Sequence, residues 1–412
     1  MSKKIGAFFI ALTLLTGVLA SCMGTSGKDT ITVWAAENVA EFTRERCKLF
    51  LEENPEIADK YKITVVAMGE GETASQMQTD VEAGADVYAF AQDQLGRLIR
   101  AGALSPLGGT YLEAAKNGND PGSVAAATMG ETMYAYPLTS DNGYMLYYDT
   151  SVVTDPTDLS AILSDCEAAG KKFYMDIRNG WYLVSFFFGA GCHYTTEVNE
   201  DGNIVRVDCD FNSPNGLKAL KAMITTAKRD GFQQSTGFAS QFNPTGGKAA
   251  AAVSGPWDAA TIRSFLGDNY GVAPLPYMEL DGETAQMSTW SGFKLMGVNP
   301  TQSEEAVKVS HQLAAYLTSE DIQLERYIFA GWGPSNLAAQ QSEEVQSDKA
   351  LSALREQMAV SPSQPQCSNN FWTKLGALGT EVDAGTYDSY TDAQLQAVLD
   401  ELTEYLKNDV AA

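Results

Sequence analysis

The chain has 412 residues, 28 of them Lys or Arg and 52 Asp or Glu, for a formal charge of −24. So negative a chain repels phosphate backbones and anionic headgroups, which excludes nucleic acid as a partner and makes anionic ligands poorer candidates than neutral ones. The length suits two domains, and an apolar fraction of 44% is ample for packed cores.

The chain opens with Lys3 and Lys4, followed by the mostly apolar run Ile5 to Ala20. A membrane-spanning helix needs about 20 apolar residues. A basic start, a shorter apolar stretch and a small-residue end make a secretory signal instead. Leu19-Ala20-Ser21-Cys22 resembles a bacterial lipobox. The resemblance implies cleavage before Cys22, a lipid on its thiol and acylation of the new N-terminus. Residues 1–21 are then a lipoprotein signal peptide and 22–28 a polar tether. The protein is expected to be exported and lipid-anchored on the outer face of the bacterial cell membrane. Loss of Lys3 and Lys4 takes the formal charge from −24 to −26.

Beyond the tether, "TITVWA" reads as a strand, "EFTRERCKLFLEENP" as a helix with Phe42, Cys47, Phe50 and Leu51 on its inner side, and "KITVVAM" as a second strand. "TASQMQTDVEAG" (helix), "ADVYAFA" (strand) and "QDQLGRLIRAG" (helix) continue the alternation. It predicts an α/β fold with mostly parallel sheets flanked by helices. "YAYPLTSDNGYMLYYDT" reads as two strands with a polar break.

The middle repeats the style. The predicted elements are a helix at "TDLSAILSDCEAAG", a strand at "KKFYMDI", a helix at "GWYLVSFFFGAG", a hairpin at "EVNEDGNIVRV" and a helix at "NGLKALKAMITTAKRDG". "KAAAAVSGPWDAATIRSF" reads as a buried strand, a turn and a helix opened by Pro256. Strands at "NYGVAPLP" and "WSGFKLMGVN" and helices at "EEAVKVSHQLAAYLTS" and "DAQLQAVLDELTEYLKN" complete the pattern. No Pro/Ser-rich linker divides the chain, so two lobes would share several crossings. The expected lobes are residues 29–139 with 291–343 and 140–290 with 344–412, crossing near Leu138–Ser140 and Thr289–Ser291.

Catalytic signatures are scarce. "GGKAA" at 246–250 lacks the Walker pattern, no GxGxxG opens a helix, and no GxSxG elbow is present. The two histidines, His193 and His311, read as structural. No cysteine pair has zinc-site spacing, so no metal and no cofactor is expected. Cys192 and Cys209 flank the hairpin in a register that sets Cys209 opposite Tyr194. A disulfide there would need a bulge, and buried free thiols are the alternative.

The six tryptophans, Trp34, Trp181, Trp257, Trp290, Trp332 and Trp372, avoid the middle of helix stripes. They fall at strand ends, turns and helix starts. Ligands of open α/β sheets bind outside the carboxyl ends of strands. Flat rings there suit the C–H faces of sugars, with Asp, Asn and Gln taking the hydroxyls.

Several segments, in this order, resemble the solute-binding proteins of sugar ABC importers, in particular the maltose/maltodextrin-binding group. They are "ADVYAFAQDQLGRLIRAGALSPL", "AYPLTSDNGYMLYYDTSVV", "FNPTGGKAAAAVSGPWDAATI", "NYGVAPLP" and "NNFWTKL". The resemblance implies a two-lobed periplasmic-binding-protein fold of type II with a hinge. It implies an oligosaccharide, most simply a maltodextrin or other α-glucan, captured between the lobes of a monomer and delivered to an ABC permease. Carried over, Phe90 matches a ring platform, Asp93 a hydroxyl acceptor, Asp141 a sugar-bonding carboxylate, and Trp181, Trp257 and Trp372 stacking rings. The chain departs from the pattern at Gln94, where a basic residue is usual, and at Asn179, which stands near an expected Glu. It also has "AAEN" in the first loop, where Glu37 and Asn38 replace an acid–lysine pair. A surface carbohydrate sensor or adhesin of the same fold, and a secreted glycosidase with two carboxylates about 5 to 10 Å apart, are the competing readings.

Overall fold

The computed structural model describes residues 29–410; the signal, the tether and Cys22 lie outside the described residues. Ten strands build two five-stranded sheets. In chain order they are β1 (Asp29–Ala35), β2 (Tyr61–Ala67), β3 (Val87–Ala91), β4 (Tyr136–Asn142), β5 (Met145–Asp149), β6 (Lys172–Met175), β7 (Phe232–Gln234), β8 (Ala249–Ser254), β9 (Tyr270–Ala273) and β10 (Gly292–Val298).

The first sheet runs β2-β1-β3-β10-β4 and the second β7-β6-β8-β5-β9. Both share one plan. Three strands pair in parallel, and the fourth is antiparallel to its neighbours on each side. In each sheet that antiparallel strand arrives from the other lobe: β5 follows β4 directly, and β10 follows the second lobe. This is a mixed α/β fold in two lobes, as the alternation predicted.

Each lobe has its own core. Val33, Val87, Phe90, Leu295 and Leu313 belong to the first. Phe173, Phe186, Leu220, Phe371 and Leu399 belong to the second. Between the lobes the chain crosses at Gly143–Tyr144, past the expected Leu138–Ser140 because β4 runs on to Asn142 in the first sheet, and at Ser291, and it returns to the second lobe between Asn336 and Ala350. The segment Ser361–Gln366 runs beside the second crossing. Ser291 N donates to the Pro362 carbonyl (2.8 Å), and Gln364 N donates to the Ser291 carbonyl (3.0 Å).

One helix differs from its predicted span in a way that matters. Its inner residues Phe42, Cys47 and Phe50 are buried, but it begins at Glu37 rather than near Glu41. An acidic residue in a first turn is favoured by the helix dipole. The earlier start puts Glu37 and Asn38 at the end of β1. Four helices of ten residues or more escaped the periodicity reading: Gly109–Gly118, Glu320–Ala330, Lys349–Ala359 and Asn369–Asp383. The five described cysteines are free and buried. Cys209 does face Tyr194, and the hairpin carries an irregularity between Ile204 and Arg206, but it brings no disulfide with it. No described helix is long and apolar enough to cross a membrane.

Candidate ligand-binding cleft

A cleft of about 910 Å³ opens between the lobes at the ends of β1, β3 and β8. Its second-lobe wall is aromatic. Trp181 lies in the first turn of helix Gly180–Gly189, whose start is capped by Asn179: the Asn179 side-chain oxygen accepts from Trp181 N at 3.0 Å. The Trp181 ring meets Tyr144 edge-on at 4.8 Å and tilts against Trp257 at 5.8 Å. Trp257 follows Pro256 in the turn after β8. A Cβ on Gly255 would come within 2.1 Å of that ring, so the tight approach requires glycine there. Trp372 lies in the first turn of helix Asn369–Asp383, with its ring edge-on to Phe371 at 4.7 Å.

The first-lobe wall is polar. Asp93 follows β3 in a short turn and is 4% exposed. Its carboxylate accepts from Trp372 Nε1 at 3.3 Å, a hydrogen bond that joins the lobes, and Arg97 lies 3.8 Å away. Burial pushes the Asp93 carboxyl up to about 6, against the opposing pull of Arg97 and the indole. Gln94 reaches the lining, but both ends of its amide are engaged. It accepts from Ala74 N (2.7 Å) and donates to the Glu70 carbonyl (2.5 Å), which braces the loop carrying Glu70. Glu37, Asn38, Glu70, Asn142 and Lys294 complete this wall. Trp332 lies at its base with Lys294 Nζ 3.8 Å from the ring centroid.

Of the thirteen residues proposed from sequence, nine line the cleft: Glu37, Asn38, Asp93, Gln94, Asn179, Trp181, Trp257, Trp332 and Trp372. The other four do not, for identifiable reasons. Phe90 is fully buried, because β3 is covered on both faces and its ring packs on Tyr88 at 5.9 Å. The strand reaches the cleft one residue later, at Ala91. Asp141 is 1% exposed and accepts from Gly333 N at 2.6 Å; strand alternation turns its neighbour Asn142 to the cleft instead. Trp290 is wholly buried in the second-lobe core, edge-on to Phe188 at 4.4 Å. Trp34 is half-buried against the first-lobe core.

Sequence reasoning missed Glu70, Asn142, Asp258, Thr261, Lys294, Gln364, Asn369 and Thr373. Two signals were available. Glu70 follows the carboxyl end of β2, where ligands are expected. Lys294 is a lone cation inside the apolar strand "GFKLMGV". Asp258 sits beside Trp257 with its carboxylate accepting from Ser254 Oγ at 2.6 Å, and burial raises its carboxyl. His193 and His311 are elsewhere; His311 is held between the Tyr136 hydroxyl and Ser105 Oγ, each at 2.9 Å. Among the described residues no group of histidines, cysteines and carboxylates could hold a metal ion.

Residues 45–353 match the family model of bacterial extracellular solute-binding proteins. The chain belongs to that family. Solute-binding proteins of this family are exported, and so is this one. It is 23% identical to the galactooligosaccharide-binding protein of Bacillus subtilis, over the whole of this chain and 98% of that one. Its fold is similar to that of the maltodextrin-binding protein MalE1 of L. casei, with a TM-score of 0.75 and 26% identity over 93% of this chain and all of the other. A structure solved with acarbose is similar too, with a TM-score of 0.79 and 26% identity over 93% of this chain and 99% of the other.

Proposed function

We propose that the protein captures an oligosaccharide, a maltodextrin or a related neutral glycan, between its lobes and delivers it to the permease of an ABC importer. The observation that carries this reading is the pairing of walls: Trp181, Trp257 and Trp372 on one side, and carboxylates and amides on the other. Indole faces take the C–H surfaces of sugar rings, and Asp93, Asn38 and Asn142 take hydroxyls. The names of the relatives, which bind galactooligosaccharides and maltodextrins, support the same ligand class. The lobes, expected at residues 29–139 with 291–343 and 140–290 with 344–412 and with the first boundary moved to Gly143 by the reach of β4, close over the ligand about the paired crossings at Gly143 and Ser291. The protein is not an enzyme in this reading. A lipid on Cys22 holds it at the membrane beside its permease.

A calorimetric and thermal-shift panel of maltodextrins, other glucans and galactooligosaccharides tests the proposal. Ligand at one hundred times Kd raises stability by about 2.7 kcal/mol. Failure of every oligosaccharide to shift melting sinks the sugar reading. Shortened products would favour a glycosidase, and normal uptake in a deletion strain with lost signalling or attachment would favour a sensor or adhesin. Cys22→Ala releases the protein from membranes or blocks its processing; unchanged retention and processing refutes the anchor.

A further inference from the structure

Lys294 has no part in the reading above, and its setting is unusual. Inward-facing positions of a central strand are normally apolar, yet β10 places a lysine there with its side chain 7% exposed. Burying an ammonium is costly unless it is paired. Glu70 supplies the pairing, with its carboxylate 3.3 Å from Lys294 Nζ and itself 13% exposed. The ammonium also lies 3.8 Å from the centroid of Trp332 and 5.1 Å from that of Trp257 in the opposite lobe. An ammonium has three donors. The face of Trp332 takes one, and Glu70 is an ion-pair contact whose Oε1 makes no hydrogen bond, so the ammonium keeps donors for a ligand.

The remaining polar groups around it are acceptors or unsatisfied. Glu70 Oε1, Asp141 Oδ1 and Trp332 Nε1 are all buried without a hydrogen-bond partner. Among the described residues that line the cleft, Lys294 is the one Lys or Arg, against the carboxylates Glu37, Glu70, Asp93 and Asp258. A hydroxyl can donate to those carboxylates and also accept from the ammonium. A carboxylate or phosphate on the ligand would gain from the one cation and be repelled by the surplus of acids.

We infer that Lys294, held in place by Glu70 over Trp332, is a specificity-determining residue that donates to one hydroxyl of an uncharged sugar at the base of the cleft. The inference rests on the oligosaccharide reading above. With its side chain 7% exposed between the Glu70 carboxylate and the Trp332 face, the lysine is held before a ligand arrives and loses less rotamer freedom on binding than a surface lysine would.

Lys294→Met retains the stem and removes the donor. Hydrogen bonds to charged groups are worth enough that maltotetraose affinity should fall by about tenfold or more in this variant. A series of singly deoxygenated maltotrioses identifies the contact. One deoxy position should cost wild type about tenfold and Lys294→Met less than about twofold, a coupling that a packing role would not produce. Glu70→Gln, which frees the lysine, should give an intermediate loss and no further loss when combined with Lys294→Met. Binding within about twofold of wild type in Lys294→Met, or deoxy losses identical in the two proteins, overturns the inference while leaving the sugar reading intact. A wild type that binds no oligosaccharide overturns both.

Discussion

The two lobes are built on the same strand plan and differ in the chemistry they bring: the second carries three of the four cleft indoles, and the first carries three of the four cleft carboxylates. The second lobe presents three indoles from three separate elements: the start of helix Gly180–Gly189, the turn after β8 and the start of helix Asn369–Asp383. The first lobe presents acids, amides and one ammonium at the ends of β1, β2 and β3 and along β10. Both sets follow from the topology, because loops at the carboxyl ends of parallel strands converge on the mouth between sheets. The fold therefore decides where side chains gather, and the loop residues decide what they do there. A wall of rings against a wall of acceptors fits an amphipathic ligand better than a purely apolar or purely ionic one.

The sharpest way to break this comparison is to move outside it. Trp290 and Trp372 are both second-lobe indoles near Phe371, with ring centroids 6.5 and 4.7 Å from it. Trp290 is wholly buried, whereas Trp372 lines the cleft. Trp290→Ala should cost about 3–5 kcal/mol of stability, read from the denaturation midpoint. An unchanged midpoint would mean that burial does not separate the two rings.

Next in size is the wall itself. Trp181→Ala, Trp257→Ala and Trp372→Ala should each weaken oligosaccharide binding by roughly 5- to 150-fold, or about 1–3 kcal/mol, with near-normal melting in the absence of ligand. Low melting with normal affinity would show that these rings are packing. Trp257 is the sharpest of the three tests, because Gly255 and Pro256 fix its backbone.

The pairing of indoles also shows what the sequence made legible. The β-α alternation and the Gly-Pro-Trp turn are local signals, and both predicted the observed elements. Trp181, Trp257 and Trp372 follow a strand-to-helix turn or a loop, a position readable from neighbouring residues. Trp290 occupies an equally polar stretch, "STWSGF", but lies where the chain passes between lobes and folds its ring back into the second core. That outcome depends on a long-range crossing no local pattern encodes. Phe90 and Asp141 missed by a single residue, since facing alternates along a strand and cleft-facing register is set by the neighbouring strands. Lys294 and Glu70 come from opposite ends of the first lobe's sequence and only the sheet brings them together.

The smallest effect concerns the seam where the walls touch. Asp93 of the first lobe accepts from Trp372 of the second, so its carboxyl titrates at the interface. Burial raises it from 3.8 to about 6, outweighing the attraction of Arg97. A carboxyl raised in the folded state binds its proton more tightly there than in the unfolded chain. The unfolded chain then holds fewer protons between pH about 4 and about 6, and stability contributed by this group falls as pH rises through that window. Below the window both states are protonated and above it both are ionised, so the contribution is flat on either side. Asp93→Asn keeps the shape and removes the titration. Melting of wild type, compared with Asp93→Asn in the absence of ligand, should therefore decline from pH about 4 to about 6 and run parallel above it. A difference that stays constant across the window would mean the carboxylate is solvated in solution and the two walls do not meet at this point; one that rises with pH would mean that Arg97 and the Trp372 indole outweigh burial.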